Sequence, residues 1–185
     1  MELDGKVAFV TGGSGDIGGA IAISLAKAGV DVAVSYVGDS QRAEATVDAV
    51  KKIGRRSLAV QLDQRDSSSI DTSVKKFMAE FGRLDILVNN AGWNIGIPFR
   101  DLNALTAEIW DRVMETNLRG PFLLARAFAP ELRRHKAGRV SSLHHYRDRG
   151  HVGAGERWRD RQGIAAGRRH GAPHLARASG GGQGG

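Results

Sequence analysis

Four short apolar runs, each followed by apolar residues at helical spacing, constrain this chain more than any other feature. Residues 6–10 form the first run and end in a glycine-rich turn. Ile17, Ile21, Leu25 and Ala28 then mark one face of a helix, with Gly29 as its stop. Residues 31–36 form the second run, and Ala43, Val47, Val50 and Ile53 mark the next helix, closed by Gly54. Residues 57–62 form the third, followed by Ile70, Val74, Phe77 and Phe81 before Gly82. Residues 84–89 form the fourth, and a long helical segment occupies roughly 104–135. Strands this uniformly apolar are buried on both faces, which a parallel sheet covered by helices provides. Right-handed crossovers between such strands leave a doubly wound, Rossmann-type α/β fold.

The pattern stops after Arg139-Val140. Residues 139–185 hold nine Arg, no Lys and three acids, with 11 Gly and five of the six His. They show no period of a core element and read as a low-complexity, disordered tail. The formal charge of +7 therefore belongs to one end of the chain: residues 1–138 carry a net +1 and residues 139–185 a net +6. Two domains are expected, an incomplete Rossmann-type domain over 1–140 and an Arg/Gly-rich tail over 141–185. The tail's composition is that of a GC-rich gene read out of frame, and a frameshift is one account of it. Sequencing the gene tests that account.

Other compositional limits are simple. No apolar run approaches the about 18 residues of a membrane span. The first residues lack a basic n-region followed by a long apolar stretch, so they do not read as a secretory signal. The absence of cysteine excludes disulfides and thiolate metal sites, and no metal site is expected. A cytoplasmic protein is the default.

Chemistry enters with the turn Thr11-Gly12-Gly13-Ser14-Gly15-Asp16-Ile17-Gly18. A glycine-rich strand-to-helix turn lets backbone approach a pyrophosphate, and the helix N-terminus offers free N–H groups and a positive dipole end. The same glycines also suit a purely structural turn. Asn89-Asn90-Ala91-Gly92 closes the fourth run. Asp63 ends the third and is either a ligand-facing acid or a solvated one. Asn117 sits in a helical stretch just before Gly120-Pro121, which should kink or open that helix. Strand two ends at Tyr36 with no acid until Asp39 and with Arg42 nearby; Asp39 or Ser40 also suits a helix cap.

On these residues the chain resembles the short-chain dehydrogenase/reductase family, in particular its 3-oxoacyl-carrier-protein-reductase-like members. Thr11, Gly12 and Gly18 match the family's Thr-Gly-x-x-x-Gly-x-Gly turn, with Asp16 at the middle glycine and Gly15 one place early to supply freedom. The resemblance implies that Thr11, Gly12, Ser14, Gly15, Ile17 and Gly18 bind a dinucleotide's pyrophosphate. It also implies that Asn90, Ala91 and Gly92 lie beside the adenine ribose and that Asp63 faces the adenine. Asn117 takes the part of the catalytic asparagine that holds a water. The missing acid after strand two, with Tyr36 and Arg42 in its place, favours NADP(H) over NAD(H). A small-molecule substrate, a ketone or secondary alcohol, is implied, and neither a membrane nor a nucleic acid is.

The family's chemistry also needs a serine after strand five and a later Tyr-x-x-x-Lys. Ser141 or Ser142 is the candidate serine, Ser142 being preferred. Tyr146 stands too close to it, Gly150 falls where the lysine should be, and no lysine follows Lys136. Turnover should be impaired, since positioned proton transfer contributes roughly 10²–10⁴-fold. Three readings follow: an impaired oxidoreductase, a nucleotide-binding remnant without turnover, and an Arg/Gly tail binding RNA on an inactive scaffold. With the family's later strands missing, strand five becomes an edge and apolar helix surface stays open. Poor solubility or marginal stability is expected, and the family's oligomer contact is not.

Overall fold

The second strand shows why these residues pair as they do: Asp31–Tyr36 is buried at five of its six positions, so helices must cover both of its sides. The computed structural model describes residues 3–98, 100–134 and 138–143; the expected tail, with Tyr146, lies outside the described residues from position 144 on. Five strands, β1 (Val7–Val10), β2 (Asp31–Tyr36), β3 (Ser57–Gln61), β4 (Ile86–Asn89) and β5 (Arg139–Ser142), form one parallel sheet in the order β3-β2-β1-β4-β5. The expected Rossmann-type fold is borne out. The order reverses at β1 and β4, and the crevice beyond the carboxyl ends of two such strands is where this architecture binds ligands.

Alternate residues of β1 feed two cores. Ala8 and Val10 pack with Ala22, Ala26, Val47 and Val50 of α1 (Asp16–Lys27) and α2 (Ser40–Lys52). Val7 and Phe9 pack with Ile70, Phe77 and Phe81 of α3 (Ser67–Phe81) and with Leu124 and Phe128 of α5 (Gly120–Arg134). Phe77 meets both Phe9 and Phe128 edge-on, at 5.2 and 5.4 Å between ring centroids.

Three local expectations change. The buried stripe of α1 is Gly18, Gly19, Ala22 and Ala26, while Ile17 is 51% exposed. Small residues let the helix lie close on the sheet, and the larger Ile21 and Leu25 flank the contact. Ile53, past the end of α2, is likewise exposed. The single long helix of 104–135 is broken: a 3₁₀ turn at Leu102–Ala104 precedes α4 (Ala107–Met114), and a π turn at Glu115–Arg119 joins α4 to α5. Pro121 lacks the N–H that would bond the Asn117 carbonyl four residues back, so the ladder opens just before Gly120-Pro121.

Strand β5 is exposed at all four positions and ends the sheet among the described residues. Trp110, Met114, Leu118 and Phe122 form exposed apolar surface along α4, the π turn and α5. No described helix is long and apolar enough to cross a membrane, and the described residues hold no cluster of potential metal ligands.

Candidate functional site

The loops leaving β1 and β4 meet at the point where the strand order reverses, and hydrogen bonds knit them together. Thr11 is fully buried, and its hydroxyl oxygen accepts from the N–H groups of Asn90 (2.9 Å) and Ala91 (2.8 Å). The Asn90 amide donates in return to the Thr11 carbonyl at 2.8 Å. Thr11 and Asn90 thus use these side-chain bonds to brace the glycine turn against the β4 loop.

Gly12 carries the turn's unusual backbone, with φ of +69°, and a Cβ there would lie 3.0 Å from the Ala91 Cα. At Gly18 a Cβ would strike the Gly12 carbonyl oxygen and come within 2.7 Å of the Asn90 amide nitrogen. Gly15, expected to supply the freedom, is extended at φ −86°, a conformation open to any residue; the freedom is spent at Gly12 instead. Ser14 is half-buried, and Gly15, Asp16 and Ile17 are exposed at the mouth.

Helix α1 differs from its neighbours in one respect that bears on ligands. Side chains cap α2 (Asp39), α3 (Asp66) and α4 (Thr106), whereas no side chain caps α1. The first N–H groups of a helix have no intrahelical partner, so an uncapped glycine turn at the head of α1 suits an anionic ligand. A dinucleotide's pyrophosphate fits this arrangement. Asp16 carries a carboxylate in the same turn, but its side chain is turned outward to solvent and to Arg42.

At the end of β2, Tyr36 is half-buried. Asp39 accepts from the Arg42 N–H at 3.0 Å and so acts as the α2 cap. Asp63 grips Arg65 through both carboxylate oxygens, at 3.0 Å to Nε and 2.6 Å to Nη2. Those hydrogen bonds from Arg65 outweigh burial and hold the Asp63 carboxyl below its ordinary range. At the amino end of the sheet, just before β4, burial alone would raise Asp85. The hydrogen bonds from Arg83 and the Val7 N–H, with the charges of Arg83 and Lys6, lower it instead.

Asn117 lies in the π turn, where its side-chain amide clasps the backbone of Trp93: Oδ1 accepts from the Trp93 N–H and Nδ2 donates to the Trp93 carbonyl, both at 2.8 Å. Gly92 is closely approached: a Cβ there would lie 3.3 Å from the Asn117 Oδ1 and require the clasp to give slightly. The Trp93 ring in turn receives the Arg112 guanidinium at 4.2 Å. Ser142 stands opposite Asn89 in the β4–β5 register and accepts from its amide at 3.5 Å.

Gln64 escaped sequence reasoning. It is 4% exposed, and its Nε2 donates to the Ala91 carbonyl (3.1 Å) and the Thr116 carbonyl (2.6 Å). It therefore ties the β4 loop to the π turn that carries Asn117, with Gly120 packed against it. A polar residue between a strand and a capped helix carries no sequence signal of such a role.

The family model for short chain dehydrogenases matches residues 6–143. A 3-oxoacyl-[acyl-carrier-protein] reductase FabG of Staphylococcus aureus is 39% identical over 140 residues, covering 75% of this chain and 55% of the relative. The short-chain dehydrogenase/reductase FrzI of Cladobotryum is 41% identical over 122 residues, covering 66% of this chain and 46% of the relative. Among solved structures, a short chain dehydrogenase from Burkholderia cenocepacia in complex with NADP is 39% identical with a TM-score of 0.68. That match covers 77% of this chain and 56% of the other. The chain thus spans about half the length of the relatives it matches.

Proposed function

Since the chain belongs to the short-chain dehydrogenase family, we propose that residues 6–143 bind NADP(H) in preference to NAD(H), as the nucleotide-binding part of an oxidoreductase acting on a ketone or secondary alcohol. We further propose that turnover is impaired in a chain of this sequence. The observation that carries the binding is the α1 N-terminus, free of any side-chain cap and set in a glycine turn at the point where the strand order reverses.

In this reading Gly12, Ser14, Gly15, Ile17 and Gly18 line the pyrophosphate cradle, and Thr11 and Asn90 keep the cradle in shape. Ala91 and Gly92 flank the adenosine ribose, Asp63 stands by the adenine, and Tyr36 and Arg42 stand where a 2′-phosphate is sensed. A bound nicotinamide would supply or accept the hydride. Asn117 contributes its backbone carbonyl, which has no N–H four residues on, as an acceptor for a water. Ser142 orients the substrate carbonyl. None of the 185 residues forms a Tyr-x-x-x-Lys, so the proton step lacks its usual acid and base.

That absence also favours a second reading, a nucleotide-binding remnant with no turnover. Titration with NADPH and NADH, followed by a ketone-dependent NADPH oxidation assay, separates the possibilities. Saturable binding with slow turnover is expected. Failure to bind either nucleotide would remove both readings, binding without turnover above background selects the remnant, and fast turnover refutes the impairment.

A further inference from the structure

The cradle contains an anion of its own. Asp16 is the first residue of α1, at the positive end of the helix dipole, and its Oδ1 accepts from Arg42 Nη2 at 2.5 Å. Arg42 is rooted in the first turn of α2, where its N–H is fixed by Asp39, yet its side chain reaches back to the glycine turn. One helical turn further on, the Thr46 hydroxyl donates to the Gly13 carbonyl at 2.9 Å. The starts of α1 and α2 are therefore tied twice, across the ground between the glycine turn and the end of β2.

Two devices in this region attract a phosphate: the head of α1 and the Arg42 guanidinium. A single carboxylate of the protein meets both. The Asp16 side chain is 95% exposed and that of Arg42 57%, so neither is locked in place by packing. Both can exchange partners without disturbing the core.

We propose that Asp16 is a built-in competitor for the cofactor's 2′-phosphate, so that it, and not Arg42 alone, sets the nucleotide preference. This rests on reading the glycine turn as a dinucleotide cradle. A 2′-phosphate must take Arg42 from Asp16 and leaves that carboxylate unpaired at the mouth of the glycine turn. NADH, lacking the 2′-phosphate, binds with the Asp16–Arg42 pair intact. The pair thus narrows the discrimination that Arg42 would otherwise give. Exposed ion pairs of this kind correspond to roughly 1.4- to 5-fold in an equilibrium constant.

The test measures NADPH and NADH dissociation constants for the full chain and for Asp16→Asn, Arg42→Gln and the double variant, at low salt. Thermal melts check that each variant remains folded. Asp16→Asn should raise the preference for NADPH by roughly 1.4- to 5-fold, Arg42→Gln should abolish most of it, and Asp16→Asn should leave it unchanged in the Arg42→Gln background. The proposal is overturned if Asp16→Asn tightens both nucleotides equally, which would mean general repulsion of the pyrophosphate. An unchanged ratio, or the same change without Arg42, also overturns it. In all three cases nucleotide still binds and the cradle reading stands; binding of neither nucleotide by any form would overturn both.

Discussion

Replacing Thr11 by valine should destabilise the chain through one specific hydrogen bond. Thr11 is fully buried, and valine nearly reproduces its shape while removing the hydroxyl. The Asn90 N–H keeps an acceptor, because the Val88 carbonyl lies 3.1 Å away. The Ala91 N–H loses its bond to the Thr11 hydroxyl and is left in a half-buried position. An orphaned buried donor costs about 1–3 kcal/mol. In a protein of this size that is roughly 2–12 °C in melting temperature. Thr11→Ser reverses the experiment by keeping the oxygen and deleting the methyl group. Its cost is about 1 kcal/mol, from lost burial and a small void. Thermal unfolding followed by circular dichroism should rank the proteins native, Thr11→Ser, Thr11→Val in falling stability. If the serine variant is the less stable, packing of the methyl group governs this position and the hydrogen-bond argument fails.

Asn117→Ala should cost about 1–3 kcal/mol by removing two bonds to the Trp93 backbone, and should shift tryptophan emission as the Arg112–Trp93 contact loosens; an unchanged spectrum and melt would count against the clasp. Asp31 and Asp85 both titrate below their ordinary value of 3.8 in the folded chain, so their contribution to stability is complete above that value and is lost as pH falls through the depressed folded values. Denaturation should therefore show a decline confined to acid pH, and Asp85→Asn should flatten it. Phe122→Lys replaces a side chain that is 61% exposed, so it should alter stability by less than about 0.5 kcal/mol while reducing light scattering of concentrated solutions.

How much of this was legible beforehand depends on the range over which each feature is determined. The strands and the helix-covered parallel sheet followed from local composition, because a strand buried on both faces has no place for polar residues, as β1 shows with four buried positions in four. The expected face of helix α1 is only partly met: Ile21 and Leu25 pack against the core, but close contact with the sheet selects small residues, and Gly18 and Ala22 take the place expected of Ile17. Pro121 announced a disturbance but not its form; which carbonyl lost its donor was predictable, whereas the π turn depended on how the rest of α4 continued.

The polar braces of the candidate site were less legible still, because their partners are distant in sequence. Gln64 bonds residues 27 and 52 positions away, and Thr11 bonds others about 80 away. Such pairings exist only once β1, β3 and β4 take their places in the sheet and the π turn comes to rest beside them. The glycine turn, by contrast, is a local object, and its motif could be read without the fold. Even there the sequence did not show which glycine is left-handed, or that Asp16 faces Arg42 rather than the cradle. Residues that would touch a ligand are therefore suggested by local motif, while those that hold them in position emerge from topology. A substitution at Gln64 should disturb the candidate site without removing any predicted ligand contact.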